Sequence, residues 1–251
     1  MIAFDIETTG KSLGKNGFVA IGAVALNAAD GGSLLDWLLL KVDTRRSVWE
    51  EECVREFWDN HRPMLEFLTT ATGVGNDKLF DVCEAAHRLY AWIEMWRARA
   101  RSLLLVTDFP QFDAGWINHA FAAANLPPLY TPAPRVWQNV LDTNAFYRGL
   151  KFAAVALGIS ERDLPRVDVR DLRHSHNPCD DARFIGVKYL RTRQAYAACF
   201  ASYATSVAAT TATTDAVADG ADADADADAY DARYSDVDAF AEIGASLEDC
   251  K

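Results

Sequence analysis

The sequence predicts an α/β fold: a mixed sheet of about five strands flanked by helices, followed by a disordered acidic C-terminal tail. Three observations carry this. Half of the 251 residues are apolar and 11% are aromatic, enough for one sizeable buried core. Strand-like and helix-like periods alternate over residues 1–200. From Ala201 the composition changes to Ala, Thr, Ser and Asp, culminating in ADADADADAY at 221–230.

The elements follow in order. Residues 2–7, 18–26 (FVAIGAVAL) and 34–42 (LLDWLLLKV) are apolar, β-prone runs with short links, which suits an antiparallel meander. Residues 49–69 and 78–97 have helical spacing, the second through Leu79, Val82, Ala86, Leu89, Ile93 and Trp96. SLLLVTD at 102–108 reads as a short buried strand. A helix over 113–124 stops at Asn125-Leu126-Pro127-Pro128, because the residue before a proline disfavours the helical conformation. VWQNVLD at 136–142 is a further strand, and 180–200 the last long helix. Residues 1–202 then form the folded domain. Residues 203–251, short of large apolar groups and self-repelling, cannot offset the entropy of ordering and read as a disordered tail. Its last stretch, AFAEIGASLEDC, suits a short helix on a protein partner.

Bulk properties narrow the class. No apolar run of about 18 residues exists, so no membrane partner is expected. The N-terminus lacks the charged start and apolar stretch of a signal peptide. The five cysteines (Cys53, Cys83, Cys179, Cys199, Cys250) are scattered, without a Cys-x-x-Cys pair, which suits reduced thiols. Together these predict an intracellular protein. The net charge of −11 argues against a nucleic-acid partner until its distribution is seen. Residues 201–251 hold 12 acidic side chains against Arg233 and Lys251, so the folded part is near neutral and nucleic acid stays open as a partner.

Three short segments carry candidate chemistry. In Phe4-Asp5-Ile6-Glu7-Thr8-Thr9-Gly10, strand alternation turns Asp5 and Glu7 to one face and Ile2, Phe4 and Ile6 to the other. Two adjacent carboxylates in a core-like strand repel one another and lose hydration, which a hard divalent cation between them relieves. In Asp108-Phe109-Pro110-Gln111-Phe112-Asp113, Asp113 opens a helix, where an acid is also a common first-turn residue. In His174-Ser175-His176-Asn177-Pro178-Cys179-Asp180-Asp181, His176 lies in a loop before Asp181 at a helix start. A histidine titrates near neutral pH and can serve as a general base, whereas either aspartate can simply cap the helix. A zinc site of His174, His176 and Cys179 lacks a fourth ligand at sensible spacing.

Taken together, in order and spacing, FDIETTG, DFPQFDAGWIN and HNPCDDA resemble the three motifs of the DnaQ-like (DEDDh) 3′-to-5′ exonucleases. The resemblance covers about residues 1–200. A sister branch uses Tyr with three intervening residues before the last Asp; that position here is Asn177, so the histidine branch fits. The resemblance implies an RNase H-like fold and metal-dependent hydrolysis of single-stranded or 3′-ended DNA or RNA to nucleoside 5′-monophosphates. It implies Asp5, Glu7, Asp113 and Asp181 as ligands of two Mg²⁺ or Mn²⁺ ions and His176 as the base. Thr8, Thr9 and Gly10 would approach the terminal sugar, and Phe112 or Trp116 would stack on a base. Many members carry Asn where this chain has Asp108, which is not expected to be a ligand; Asp180 lies out of register with the motif. The competing readings are a catalytically inactive nucleic-acid-binding protein on the same fold and a scaffold acting through the acidic tail.

Overall fold

The computed structural model describes residues 1–73, 77–100, 102–129 and 140–218, with side chains to residue 209. Its sheet has strands β1 (Ile2–Thr8), β2 (Phe18–Asn27), β3 (Ser33–Val42), β4 (Leu79–Phe80), β5 (Leu105–Thr107) and β6 (Val140–Asp142). The strand order is β4-β3-β2-β1-β5-β6. β1, β2 and β3 form the antiparallel meander, while β4 runs parallel to β3, β5 to β1, and β6 to β5. The fold is thus a mixed α/β sheet flanked by helices, with six strands rather than five.

The helices are α1 (Glu51–Glu56), α2 (Arg62–Thr69), α3 (Val82–Arg99), α4 (Asp113–Ala123), α5 (Thr143–Ala156) and α6 (Pro178–Ala218). Strand alternation divides the core. Ile2, Phe4 and Ile6 pack with Leu89 and Ile93 of α3 and Ile117 and Phe121 of α4. On the opposite face Ala3, Val24, Leu26 and Val106 pack with Ala182, Val187 and Leu190 of α6. A third cluster joins Val19 and Ala20 to Trp58 and Leu68. Among the described residues, no helix is long and apolar enough to cross a membrane.

Several boundaries differ from the sequence expectation, each for a local reason. The helix expected over 49–69 is broken at Phe57–His61 by a short 3-10 turn, Trp58–Asn60. Trp58 is fully buried there, its indole N–H donating to the Thr8 carbonyl at 3.1 Å, and Pro63 suits the first turn of the restarted helix. The helix expected from residue 78 starts at Val82. Leu79 and Phe80 pair with Lys41 and Val42 as β4, and Asp81 caps the helix by accepting from the Cys83 N–H at 2.8 Å. Residues 136–139 of the expected last strand lie outside the described residues. The last helix runs to Ala218, so residues 203–218 of the segment assigned to the tail are helical; their Ala content explains why the helix continues. The chain divides by its internal contacts into Met1–Ala204 and Thr205–Lys251.

Candidate active site

The site is assembled from three separated stretches, and its centre is β1. Asp5 lies opposite Gly22 across the β1–β2 pair. A Cβ on Gly22 would come within 2.2 Å of the Pro178 carbonyl carbon and 2.4 Å of the Cys179 nitrogen. Glycine is therefore required where the start of α6 rests on the sheet. That docking brings Asp181, in the first turn of α6, beside Asp5 and Glu7. Asn177, whose capping role the sequence reading did not recognise, accepts from the Cys179 N–H at 3.0 Å, and Pro178 follows at a position where a missing N–H costs little.

The loop ahead of α6 is tied down by the same carboxylate. Asp181 accepts from the backbone N–H of Ser175 at 2.8 Å and of His176 at 2.9 Å. His176 adopts φ of 59°, a left-handed conformation uncommon outside glycine. Its Nδ1 lies 3.9 Å from Glu7 Oε1. The ring packs edge-on against Phe57 at 4.7 Å, His61 at 4.1 Å and His174 at 5.1 Å between centroids. His61 escaped the sequence reading: it belongs to no motif and sits in a turn hidden inside a helical period. Asp180 takes no part in the cluster; it accepts from the Ser175 hydroxyl at 2.9 Å.

The third stretch is the turn from β5 into α4. Asp113 is buried and accepts from the Thr107 hydroxyl. Carboxylate oxygens of Asp5, Glu7 and Asp181 lie within 4.8 Å of one another, and so do those of Asp5, Asp108 and Asp113. Asp108, not expected as a ligand, is therefore part of the acidic centre. His174, His176 and Asp181 form a third group of similar spacing.

Burial and mutual repulsion dominate the electrostatics. Burial, then Asp113, Glu7, Asp181 and Asp108, pushes the Asp5 carboxyl well above the usual range. Glu7 is pushed up to about 9 by burial and by Asp181 and Asp113. Asp113 rises to about 7, chiefly by burial, against the opposing Thr107 hydrogen bond. Burial also raises Asp181 and Asp108, and lowers His176 with help from His61 and His174. Without cations this cluster holds protons at neutral pH. Several hard oxygen donors converging in this way fit Mg²⁺ or Mn²⁺, whose binding would release those protons.

The residues expected at the substrate are less accessible. Thr8, Thr9 and Gly10 are buried. Thr8 donates to the Gly10 carbonyl at 2.8 Å. Thr9 donates to the Val48 carbonyl at 2.7 Å and accepts from the Gly17 N–H at 2.9 Å. These hydroxyls hold the turn together. Trp116 is a core residue, 3% exposed, and Phe112 is half-buried. Phe109, which the sequence reading did not single out, is 57% exposed and stacks on Phe112 with centroids 6.1 Å apart.

No family model matches the chain, and no curated protein does. Among solved structures it is similar to the nuclease domain of 3′hExo, a DEDDh family member, bound to rAMP. That similarity has 14% identity, covers 77% of this chain and 90% of that one, and has a TM-score of 0.47.

Proposed function

We propose that this chain is a metal-dependent 3′-to-5′ exonuclease acting on DNA or RNA. The observation that carries the reading is the meeting of Asp5, Glu7, Asp113 and Asp181, from β1, α4 and α6, in one mutually repelling centre beside His176. Such a centre is costly to fold around unless it serves a cation. The order and spacing of the three motifs support the polarity and the substrate class.

Asp5, Glu7 and Asp181 would hold one divalent cation, and Asp5 with Asp113 a second. When bound, such ions supply a Lewis acid that polarises the phosphodiester and neutralises charge on the leaving oxygen. The remaining chemistry belongs to the chain. His176 is held neutral by burial and by its histidine neighbours, so at neutral pH it has a nitrogen free to take the proton of the attacking water. The water oxygen bonds to phosphorus, the P–O3′ bond breaks, and a nucleoside 5′-monophosphate leaves. Asp181 positions the base through the two backbone N–H groups it accepts. Phe109, exposed next to the cluster, offers a stacking face for a base, an interaction tolerant of sequence.

The test uses single-stranded DNA and matching RNA oligonucleotides, labelled at the 3′ or 5′ end, with Mg²⁺ or Mn²⁺ and an EDTA control. Metal-dependent shortening from the 3′ end is expected, and Asp5→Ala should abolish it in a folded protein. Tight binding without cleavage would instead support an inactive binding protein, and undiminished turnover in Asp5→Ala would refute the assignment of the centre.

A further inference from the structure

We infer that Asp108 is an additional cation-holding carboxylate of this centre, completing with Asp5 and Asp113 a second three-carboxylate site. The inference rests on the exonuclease reading above and specifies how that centre retains its second ion.

The geometry comes from the turn between β5 and α4. The N–H groups of Phe112 and Asp113 both donate to the Phe109 carbonyl, at 2.9 and 3.0 Å, so the chain folds back directly after Asp108. Asn144 fixes the same backbone from the other side, its side-chain amide donating to the Asp108 carbonyl at 3.1 Å. The result places the Asp108 carboxylate within 4.8 Å of those of Asp5 and Asp113. Around a cation with ligand oxygens at about 2.1–2.6 Å, opposite ligands lie about 4.2–5.2 Å apart, so the three can share one ion.

One further observation supports the inference. Glu7, which joins Asp5 and Asp181 in the adjoining group, is only 7% exposed and accepts no hydrogen bond from a described residue; the Nδ1 of His176, a neutral ring, lies 3.9 Å away. A buried carboxylate in that state points to an ion as its missing partner. The two groups of three oxygens share Asp5, so each ion would face three carboxylates. Without Asp108 the second would face only two. Charge count is a main determinant of affinity for hard cations, so the second ion should be held tightly even without substrate.

The experiment titrates metal-free full-length protein with Mn²⁺ in the absence of nucleic acid, following free Mn²⁺ by electron paramagnetic resonance. Asp108→Asn preserves size and one acceptor oxygen while removing the charge. Expected are two ions in the wild type. In the variant one affinity should be unchanged and the other weakened at least about tenfold, the scale for a lost metal-supporting group. Asp108→Glu should restore most of the lost affinity. Thermal unfolding in EDTA controls for folding, and Asp108→Asn should melt no lower than wild type because it removes a like charge. Wild-type protein that cleaves nucleic acid, with both affinities unchanged in Asp108→Asn, would overturn this inference alone. A wild type that binds two ions, with the Asp108→Asn loss, yet cleaves nothing would sustain it and defeat the exonuclease reading. Absence of Mn²⁺ binding in the wild type would overturn both.

Discussion

Replacing Glu7 by Gln should stabilise the metal-free protein at pH 8 and remove most of its stabilisation by Mg²⁺. Glu7 has an ordinary pKa of 4.5 and is pushed up to about 9 in the fold. The folded state therefore keeps a proton that the unfolded chain releases. The Glu7 contribution to stability is complete below about pH 4.5 and is lost as pH rises toward about 9. At pH 8 the loss approaches about 5 kcal/mol, from about 1.4 kcal/mol per unit. Gln escapes it but buries an amide with poor partners, which costs about 1–3 kcal/mol. The net gain is then about 2–4 kcal/mol, or roughly 4–16 °C in Tm for a chain of this size. Thermal unfolding by circular dichroism in EDTA at pH 4.5, 6 and 8 measures it. The gain should vanish at pH 4.5, and in saturating Mg²⁺ the order should reverse, because Gln is the poorer ligand. A Glu7→Gln protein no more stable than wild type in EDTA at pH 8, or equally favoured at both pH extremes, would refute the reasoning.

His176→Asn tolerates the left-handed backbone at that position and should lower kcat by about 10²–10⁴-fold with Mn²⁺ binding retained. Single-turnover rates at wild-type level would show that the imidazole is structural. Gly22→Ala puts a methyl group into the Pro178–Cys179 backbone, so α6 must shift. It should cost about 1–3 kcal/mol in urea unfolding and weaken Mn²⁺ binding at Asp5, Glu7 and Asp181, because an overpacked contact is relieved only by displacement. Unchanged binding and stability would mean that the helix start does not bear on that glycine.

The central meander was legible because β1, β2 and β3 are long, apolar runs with short links, and strand alternation placed Asp5 and Glu7 on the α6 face. α4 was legible from its stop residues and α6 from about residue 180, two residues inside its start at Pro178, because the Asn177 cap was not recognised. β4 was not, since two residues carry no period of their own and Leu79 also fits the helical repeat that follows. The break at Phe57–His61 was hidden likewise, because the apolar spacing of 49–69 continues across a turn dictated by burying Trp58. Within the site, local motifs named five residues but could not supply His61, which meets His176 only through the tertiary fold. Nor could they show that Asp108 turns inward or that Thr9 spends its hydroxyl on the backbone. These depend on which atoms meet across sequence separations of 39 or 115 positions, and no local pattern encodes that.

Gly22 and the start of α6 also bear on the order in which the centre comes into being. Asp5 and Glu7 leave the ribosome before Asp181, and β1 can pair with β2 and β3 through local contacts alone. In that nascent meander their carboxylates still face water, and Asp181 has not been made. Burial and the added charges of Asp113 and Asp181 come only when α4 and then α6 settle onto the sheet, so the last long helix both closes the core and completes the electrostatic need for cations. A chain interrupted before residue 181 would carry the first motif and a paired meander, yet have no complete three-carboxylate group around Glu7 to bind an ion.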